Sequence, residues 1–261
     1  MANSATQFVS LSSDESTAGS IGRISYAGSS STGRVRATNQ DSYGLAISDS
    51  SPVIFAVADG MGGHAGGDVA SSTVISLLIE SVNEINSENI KSSAQYLISQ
   101  MNEELGRIQT KSLQYQGLGT TLSTIIIDGS DLWTVHIGDS RIYRLRNQAL
   151  TQITKDHSWV QEQIDAGRLD EADALSHPRR NLITRVLGTA GNSVADITSY
   201  EIEIGDRYLL CSDGVHGVIP TAEILEALQI GELQQSTEML MHRAEQAGSP
   251  DNVTVLIVDI G

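Results

Sequence analysis

The order of strand and helix patterns along this chain predicts an α+β fold, with antiparallel sheets and segregated helices. Apolar runs typical of strands occur in groups along the 261 residues, and helical patterns occur in pairs between those groups. The strict alternation of strands and helices that builds a parallel sheet is absent. In addition, Gly129 and Gly138 separate three closely spaced strand patterns, which is typical of an antiparallel meander with short turns.

Strands are predicted where short apolar runs, many rich in β-branched residues, are bounded by turn residues. In chain order the predicted strands are 24–27, 42–47, 53–58, 120–127, 132–137, 141–145, 196–202, 207–211 and 253–260. They fall before, between and after the two pairs of predicted helices, which favours sheets whose neighbouring strands are antiparallel.

Helices are predicted where apolar residues recur on one helical face. The predicted helices are 69–82, 94–108, 221–228 and 233–247. Residues 157–181 fit neither pattern, because they are rich in charge, poor in β-branched residues and interrupted by glycine and proline. We predict that this segment is a small helical excursion out of the sheet.

Composition limits the classes of function. The net charge of −16 argues against a surface that binds nucleic acid, which needs a basic stripe. The single cysteine, Cys211, fits a reducing compartment, and the first residues lack the pattern of a signal peptide. No apolar run approaches the ~20 residues of a membrane span. We therefore expect a cytoplasmic protein, with residues 1–20 as a mobile Ser/Thr-rich tail and 21–261 as one domain.

The stretch 53–68 carries the clearest local signal. A buried strand ends at Asp59, five glycines follow within eight residues, and a helical pattern begins after them. The spacing Gly60-x-Gly62-x-x-Ala65 allows a dinucleotide-binding turn, although Asp59 would then lie near the pyrophosphate. A simple strand-to-helix turn is a second interpretation. The third is a cation site formed by the acid and the glycine-rich backbone.

Five aspartates share the position of Asp59 at the tip of an apolar strand, and together they favour the cation site. They are Asp41, Asp59, Asp139, Asp213 and Asp251. If these strand ends meet, the neighbouring carboxyl groups cannot all remain ionised without compensating positive charge. Two divalent cations would neutralise four carboxylates. Oxygen ligands without paired His or Cys favour Mg²⁺ or Mn²⁺ over zinc. Two such ions can hold a hydroxide between them, which predicts a two-metal phosphoesterase.

The ordered motifs around these acids resemble those of the metal-dependent (type 2C) protein serine/threonine phosphatases, bacterial branch. The motifs are Arg36-x-x-Asn39-Gln40-Asp41, Val57-Ala58-Asp59-Gly60-Met61-Gly62-Gly63-His64, Gly119-Thr120-Thr121, His136-Ile137-Gly138-Asp139-Ser140-Arg141, Cys211-Ser212-Asp213-Gly214 and Asp251-Asn252-Val253-Thr254. Any one of them is weak, whereas the ordered set is specific and covers the chain from about residue 21.

The resemblance implies a four-layer α-β-β-α sandwich of two antiparallel sheets flanked by helix pairs, with residues 157–181 as a flap beside the active site. It assigns two central Mn²⁺ or Mg²⁺ ions to Asp41, Asp59, Asp213 and Asp251 and to the Gly60 carbonyl. A possible third ion falls on Asp139, shared with Asp213. Arg36 falls where the family binds the substrate phosphate, which suits its two-pronged guanidinium.

The implied activity is hydrolysis of phosphoserine and phosphothreonine in proteins by a water or hydroxide that bridges the two ions, opposite a cognate protein kinase. Some family members have a histidine directly after the Asp-Gly pair as the general acid. Here that residue is Met61, which cannot give a proton, so His64 or a metal-bound water is the candidate. The alternative to an enzyme is a phosphatase-like module that binds partners. Because such a module needs no full charge set, the retained acids and Arg36 disfavour it.

Overall fold

The computed structural model describes residues 7–11, 15–47, 52–62, 66–189 and 193–261. Its strands are β1 (Gln7–Leu11), β2 (Ser16–Ile21), β3 (Ile24–Ser31), β4 (Asp41–Ile47), β5 (Val53–Met61), β6 (Gly119–Thr120), β7 (Leu122–Asp128), β8 (Asp131–Ile137), β9 (Arg141–Arg146), β10 (Ala149–Gln152), β11 (Asp196–Glu201), β12 (Arg207–Cys211) and β13 (Val253–Ile260). Its α-helices are α1 (Gly67–Glu80), α2 (Ile90–Lys111), α3 (Trp159–Asp165), α4 (Glu171–Ser176), α5 (Asp213–His216), α6 (Thr221–Leu228) and α7 (Leu233–Gln246). Short 3-10 turns span Val82–Glu84, Ser87–Asn89 and Leu113–Tyr115.

The described strands form two sheets. The first has the order β1-β4-β5-β7-β8-β11, with β6 paired to β5, and the second has the order β10-β9-β12-β13-β3-β2. Every pairing between these strands is antiparallel. A dinucleotide-binding unit requires parallel strands joined by a helix, so the interpretation of the glycine-rich turn as a dinucleotide site is wrong.

Three apolar cores separate four layers, which confirms the predicted α-β-β-α sandwich. One core lies between α1, α2 and the first sheet, one between the two sheets, and one between the second sheet and helices α5 to α7. Representative side chains are Val74 and Ile54 in the first core, Tyr43 and Tyr208 in the second, and Leu209 and Leu240 in the third. Because side chains alternate along a strand, Tyr208 and Leu209 enter cores on opposite faces of the same sheet.

The prediction of a mobile tail over residues 1–20 is wrong where the structure describes that segment. Strand β1 pairs with β4 at the edge of the first sheet, and β2 pairs with β3 at the edge of the second. Edge strands of this kind are held by backbone hydrogen bonds, which need no apolar period in the sequence. Residues 1–6 and 12–14 lie outside the described residues.

The segment 157–181 contains helices α3 and α4, so its predicted helical character is confirmed. The backbone of Ser158 pairs with that of Ile183, which closes the base of the excursion. Helix α5 and strand β10 are only four residues long, which is too short for a pattern in the sequence to predict them. Within the described ranges, none of the helices combines the length and apolar character needed to cross a membrane.

Candidate metal centre

The antiparallel pairing of β4 with β5 brings the first two predicted site residues together. Asp41 begins β4 and lies directly opposite Asp59 near the end of β5. The apolar residues that precede Asp59 fill the cores, and the acid itself lies near the end of this central strand. Opposed residues of neighbouring strands have Cβ atoms about 5 Å apart. The fold therefore places two carboxylates side by side.

The Asp41 carboxylate is buried in a network of hydroxyl groups. Its Oδ2 accepts hydrogen bonds of 2.7 Å from Ser212 Oγ and from Thr254 Oγ1. Burial raises the pKa of Asp41 to about 7, with a further increase from the charges of Asp213 and Asp251, although the two hydroxyl donors oppose the shift. Because Asp41 is buried and its neighbours are also acids, a cation would stabilise its ionised form.

Backbone contacts fix Asp59 and the glycine after it. The Asp59 N–H donates to Thr121 Oγ1, and the Asp59 carbonyl accepts from the Thr121 N–H, each at 2.9 Å. A Cβ at position 60 would overlap the carbonyl oxygen of Gly67, so only glycine fits there. Burial and then the charge of Asp41 raise the pKa of Asp59 well above its usual range.

The pairing of β12 with β13 brings the next two acids to the same end of the second sheet. Asp213 follows β12 after one residue, Asp251 precedes β13 by two residues, and the Ser212 N–H donates to the Thr254 carbonyl at 3.2 Å. Burial and the charge of Asp251 raise the pKa of Asp213 to about 6. A hydrogen bond with Asp59 and the charge of Arg36 oppose that increase.

Arg36 lies at the mouth of this group of acids. Its Nη2 donates to Asp251 Oδ2 at 2.6 Å, while 51 % of its side chain is exposed. That hydrogen bond is the main cause of the raised pKa of Arg36, and the charges of Asp251, Asp213 and Asp59 add to it. The guanidinium is therefore held beside the carboxylates and remains accessible from solvent.

Asp139 joins the group from the turn between β8 and β9. Its Oδ1 is buried and has no hydrogen-bond partner among the described residues. Burial raises the pKa of Asp139 to about 8, with further increases from the charges of Asp213 and Asp156. A buried carboxylate oxygen without a donor is the strongest single sign that a ligand belongs at this position.

The side chains of this site suit a divalent cation that prefers oxygen ligands. In the described part of the chain, no three His, Cys, Asp or Glu side chains already form a cluster that could hold a metal ion. Two of the acids are instead turned toward protein donors, Asp41 toward hydroxyl groups and Asp251 toward Arg36. The carboxylates still raise one another's pKa, and Asp139 keeps an unpaired oxygen, so their residue types and charge fit Mn²⁺ or Mg²⁺.

Two residues that shape the site were not predicted as site residues from the sequence. Asn252 accepts from the Gln40 N–H at 2.9 Å and donates to the carbonyls of Thr32 and Thr38, which fixes the loop that carries Arg36. His216 Nε2 lies 2.9 Å from the Asp139 carbonyl. The motif Asp251-Asn252-Val253-Thr254 contained the signal for Asn252, whereas nothing in the sequence linked position 216 to position 139.

Two other predictions concern residues near the turn after β5. His64, the candidate general acid, lies outside the described residues. Met61, which occupies the position of the family's histidine, is half-buried and pairs with Gly119 through its backbone.

The single cysteine lies away from that turn. Cys211 is fully buried in β12, and burial raises the pKa of its thiol to about 12. The thiol is therefore a core group with little nucleophilic character.

Comparison with known proteins gives a consistent family. Residues 30–254 match the family model of protein phosphatase 2C. The chain is 41 % identical over 237 residues to the serine/threonine protein phosphatase PstP of Mycobacterium tuberculosis, covering 91 % of this chain and 45 % of that protein. It is 36 % identical over 232 residues to the serine/threonine phosphatase stp of Listeria monocytogenes, covering 87 % of this chain and 92 % of that relative.

Solved structures agree with these matches. A crystal structure of the M. tuberculosis phosphatase PstP/Ppp superposes with a TM-score of 0.84 at 42 % identity, covering 91 % of this chain and 98 % of that one. The catalytic domain of PstP in complex with two manganese ions superposes with a TM-score of 0.81 at 40 % identity, covering 90 % and 97 %. The chain spans about half the length of the M. tuberculosis relative, 45 %, when the whole of that protein is counted. By sequence and by fold, the chain belongs to the protein phosphatase 2C family.

Proposed function

We propose that this chain is a metal-dependent protein phosphatase that removes phosphate from phosphoserine and phosphothreonine in proteins. The observation that carries the proposal is the convergence of buried aspartates from separate strand ends on one accessible arginine, Arg36. The names of relatives in M. tuberculosis and Listeria, which are serine/threonine phosphatases, support the same activity. We assign the activity to the predicted domain 21–261.

In this proposal the acids hold divalent ions. Asp41, Asp59, Asp213, Asp251 and the Gly60 carbonyl would hold two central Mn²⁺ or Mg²⁺ ions. When bound, such a pair supplies the Lewis acidity that displacement at phosphorus requires. The two manganese ions of the PstP catalytic domain support this arrangement. Because the buried acids would otherwise share protons or repel each other, they are prepared to bind cations rather than to exchange protons with substrate.

Asp139, shared with Asp213, is the proposed ligand of a third and weaker ion. The unpaired Oδ1 of Asp139 supports this role, because that oxygen has no described donor to satisfy it. Its separate position in the turn before β9 distinguishes it from the acids at the ends of β4, β5, β12 and β13.

Arg36 is the proposed substrate-binding residue. A phosphomonoester carries up to two negative charges, and an arginine offers paired N–H donors to its oxygens. The ion pair with Asp251 orients the guanidinium beside the acids, and the exposed half of the side chain leaves room for an incoming phosphoprotein. Arg36 would therefore orient the phosphate and offset its charge.

The remaining predictions concern the setting of the reaction. We propose a cytoplasmic role in signal transduction opposite a cognate protein kinase, supported by the family and by the single, buried cysteine. Residues 157–181 are the proposed flap that influences the choice of substrate. His64 stays a candidate for the proton donor to the leaving alkoxide, which needs a general acid.

The experiment that tests the proposal compares three substrates with and without metal. We expect the purified chain to hydrolyse p-nitrophenyl phosphate and a phosphothreonine peptide with Mn²⁺, and to lose this activity in excess chelator. A phosphotyrosine peptide of matched sequence serves as the control for substrate class. Mn²⁺ binding without turnover would contradict the proposal and favour the binding module.

A further inference from the structure

The imidazole of His157 lies directly against the turn that carries Asp139. Its Nδ1 is 3.1 Å from the backbone nitrogen of Gly138, and the His157 N–H donates to the Gly138 carbonyl at 2.7 Å. His157 is 2 % exposed. The residue before Asp139 is therefore bonded twice to one histidine, once through the ring and once through the backbone.

These contacts define which ring nitrogen carries the proton. A backbone N–H can only donate, so Nδ1 of His157 must accept, and the proton lies on Nε2. Nε2 donates to Asp196 Oδ2 at 3.1 Å, and Asp196 Oδ1 accepts from Arg185 Nη1 at 2.9 Å. Asp196 and Arg185 thus hold the imidazole in the orientation that its bond to Gly138 needs.

The turn itself has little freedom to move. Gly138 has φ +111, and a Cβ at that position would lie 2.5 Å from the side chain of Thr121. His216 contacts the Asp139 carbonyl from the other side at 2.9 Å. His157 and His216 therefore hold the backbone on either side of the Asp139 Cα, and the carboxylate projects from a fixed base.

His157 also begins the segment 157–181. Its carbonyl accepts from the Thr184 N–H at 2.7 Å, and the Trp159 N–H donates to the Leu182 carbonyl at 2.8 Å. The same residue thus takes part in the base of the proposed flap and in the turn before Asp139. A displacement of the flap base would therefore reach the turn before Asp139 through a single residue, His157.

We propose that His157 is a positioning residue, oriented by Asp196, that holds the Asp139 carboxylate in place for the weaker metal ion. The inference rests on the proposed function, since it takes Asp139 as a ligand. Groups that orient metal ligands in this way alter metal affinity or activity by about 10- to 100-fold when they are removed.

The test measures Mn²⁺ binding by isothermal titration calorimetry alongside turnover. His157→Ala should weaken the weaker Mn²⁺ site about tenfold and lower kcat, with the two central ions and KM little changed. His157→Asn keeps an acceptor at the position of Nδ1 and should restore affinity to within about threefold of the unmodified chain. The matched control is His136→Ala, since the tilted ring of His136 packs against that of His157 with centroids 4.8 Å apart, but hydrogen-bonds Ser123 and the Lys155 carbonyl instead of the turn.

Two further variants separate positioning from general stability. Asp196→Ala removes the orienting acceptor at a half-exposed side chain, and it should weaken the same site even if His157→Ala does not fold. If His157 acts through Asp139, His157→Ala should add nothing to the loss caused by Asp139→Asn.

Three results would overturn the inference. The first is an unchanged Mn²⁺ affinity of the weaker site in both His157→Ala and Asp196→Ala. The second is an equal loss of Mn²⁺ affinity at all three sites. The third is an unmodified chain that binds only two ions. Failure of the proposed function is distinguishable, because it appears as absent Mn²⁺-dependent turnover in the unmodified chain whatever the binding isotherm shows.

Discussion

Acidic residues near the two ends of strands β12 and β13 lie in opposite electrostatic environments. At the end away from the candidate site, the buried Asp206 accepts from Arg146 at 2.6 Å, Tyr208 at 2.8 Å and the Glu203 N–H at 3.0 Å. Although burial alone would raise the pKa of Asp206, the Arg146 hydrogen bonds lower it. At the same end, Asp259 accepts from Arg207 at 2.6 and 2.7 Å.

At the other end Asp251 pairs with Arg36, but three further acids are buried without such partners. Asp41, Asp59 and Asp139 have raised pKa values, and none forms an ion pair with an arginine or lysine in the described ranges. At the far end the protein itself therefore neutralises its acids, because Asp206 and Asp259 each pair with an arginine. At the near end these three carboxyls have no protein cation to neutralise them, which is typical of a functional site.

Replacing one buried acid at each end by its amide should have the largest and most different effects. We expect Asp59→Asn to lower kcat/KM with Mn²⁺ by about a thousandfold, because a ligand of the central ions is lost. Asp206→Asn should keep its activity while folded but lose about 3 kcal/mol of stability, because Arg146 is left without its buried partner. Steady-state kinetics and urea unfolding of both variants test this. Full activity in Asp59→Asn would contradict the site assignment.

A smaller effect is expected at the third candidate position. Asp139→Ala should spare the two central ions but lower turnover about 10- to 100-fold, since this acid lies apart from the ends of the four central strands. Calorimetric Mn²⁺ stoichiometry and kcat, measured on the same preparation, test this prediction. Loss of the central ions in Asp139→Ala would mean that the turn before β9 supports the whole site.

The sequence identified the acids because each lies at or within two residues of the end of an apolar strand. It also predicted the two sheets and helix pairs. It missed β1 and β2, since edge strands are specified by backbone pairing with distant residues rather than by their own apolar pattern. The hydroxyl donors to Asp41 were missed for a similar reason. Ser212 and Thr254 are 171 and 213 residues from Asp41, so only the completed sheets reveal the contacts.

Bound metal should reduce the electrostatic difference between the two ends. Mn²⁺ binds the folded chain and neutralises its clustered acids, so 100-fold excess over Kd should add about 2.7 kcal/mol per site. For a chain of this size, each kcal/mol corresponds to roughly 2–4 °C in Tm. Differential scanning calorimetry with and without Mn²⁺ measures the increase. Asp206→Asn should show the same increase and Asp59→Asn a smaller one, whereas an unchanged Tm in the unmodified chain would count against metal binding.

In chelator, the two ends should respond to pH in opposite directions. The pKa values of Asp213, Asp41 and Asp139 are raised to about 6, 7 and 8 in the folded chain, so these three carboxyls bind more protons in the folded state than in the unfolded state above pH 4. Their contribution to stability is complete below the unfolded pKa and is lost as the pH rises through the folded values. Asp206 has a lowered pKa, so its contribution is lost as the pH falls.

We therefore expect the near-end acids to contribute a fall of several kcal/mol in the free energy of unfolding of the metal-free chain between pH 5 and pH 8. The buried histidines His136, His157 and His216 contribute in the opposite direction, because burial lowers their pKa values. Urea unfolding in chelator at the two pH values measures this change. Asp41→Asn, which removes one of the titrating carboxyls, should show a smaller fall, and saturating Mn²⁺ should abolish it because the ions replace the protons. The same pH dependence in Asp41→Asn and in the unmodified chain would mean that Asp41 is already neutralised by the protein, as Asp206 is at the far end.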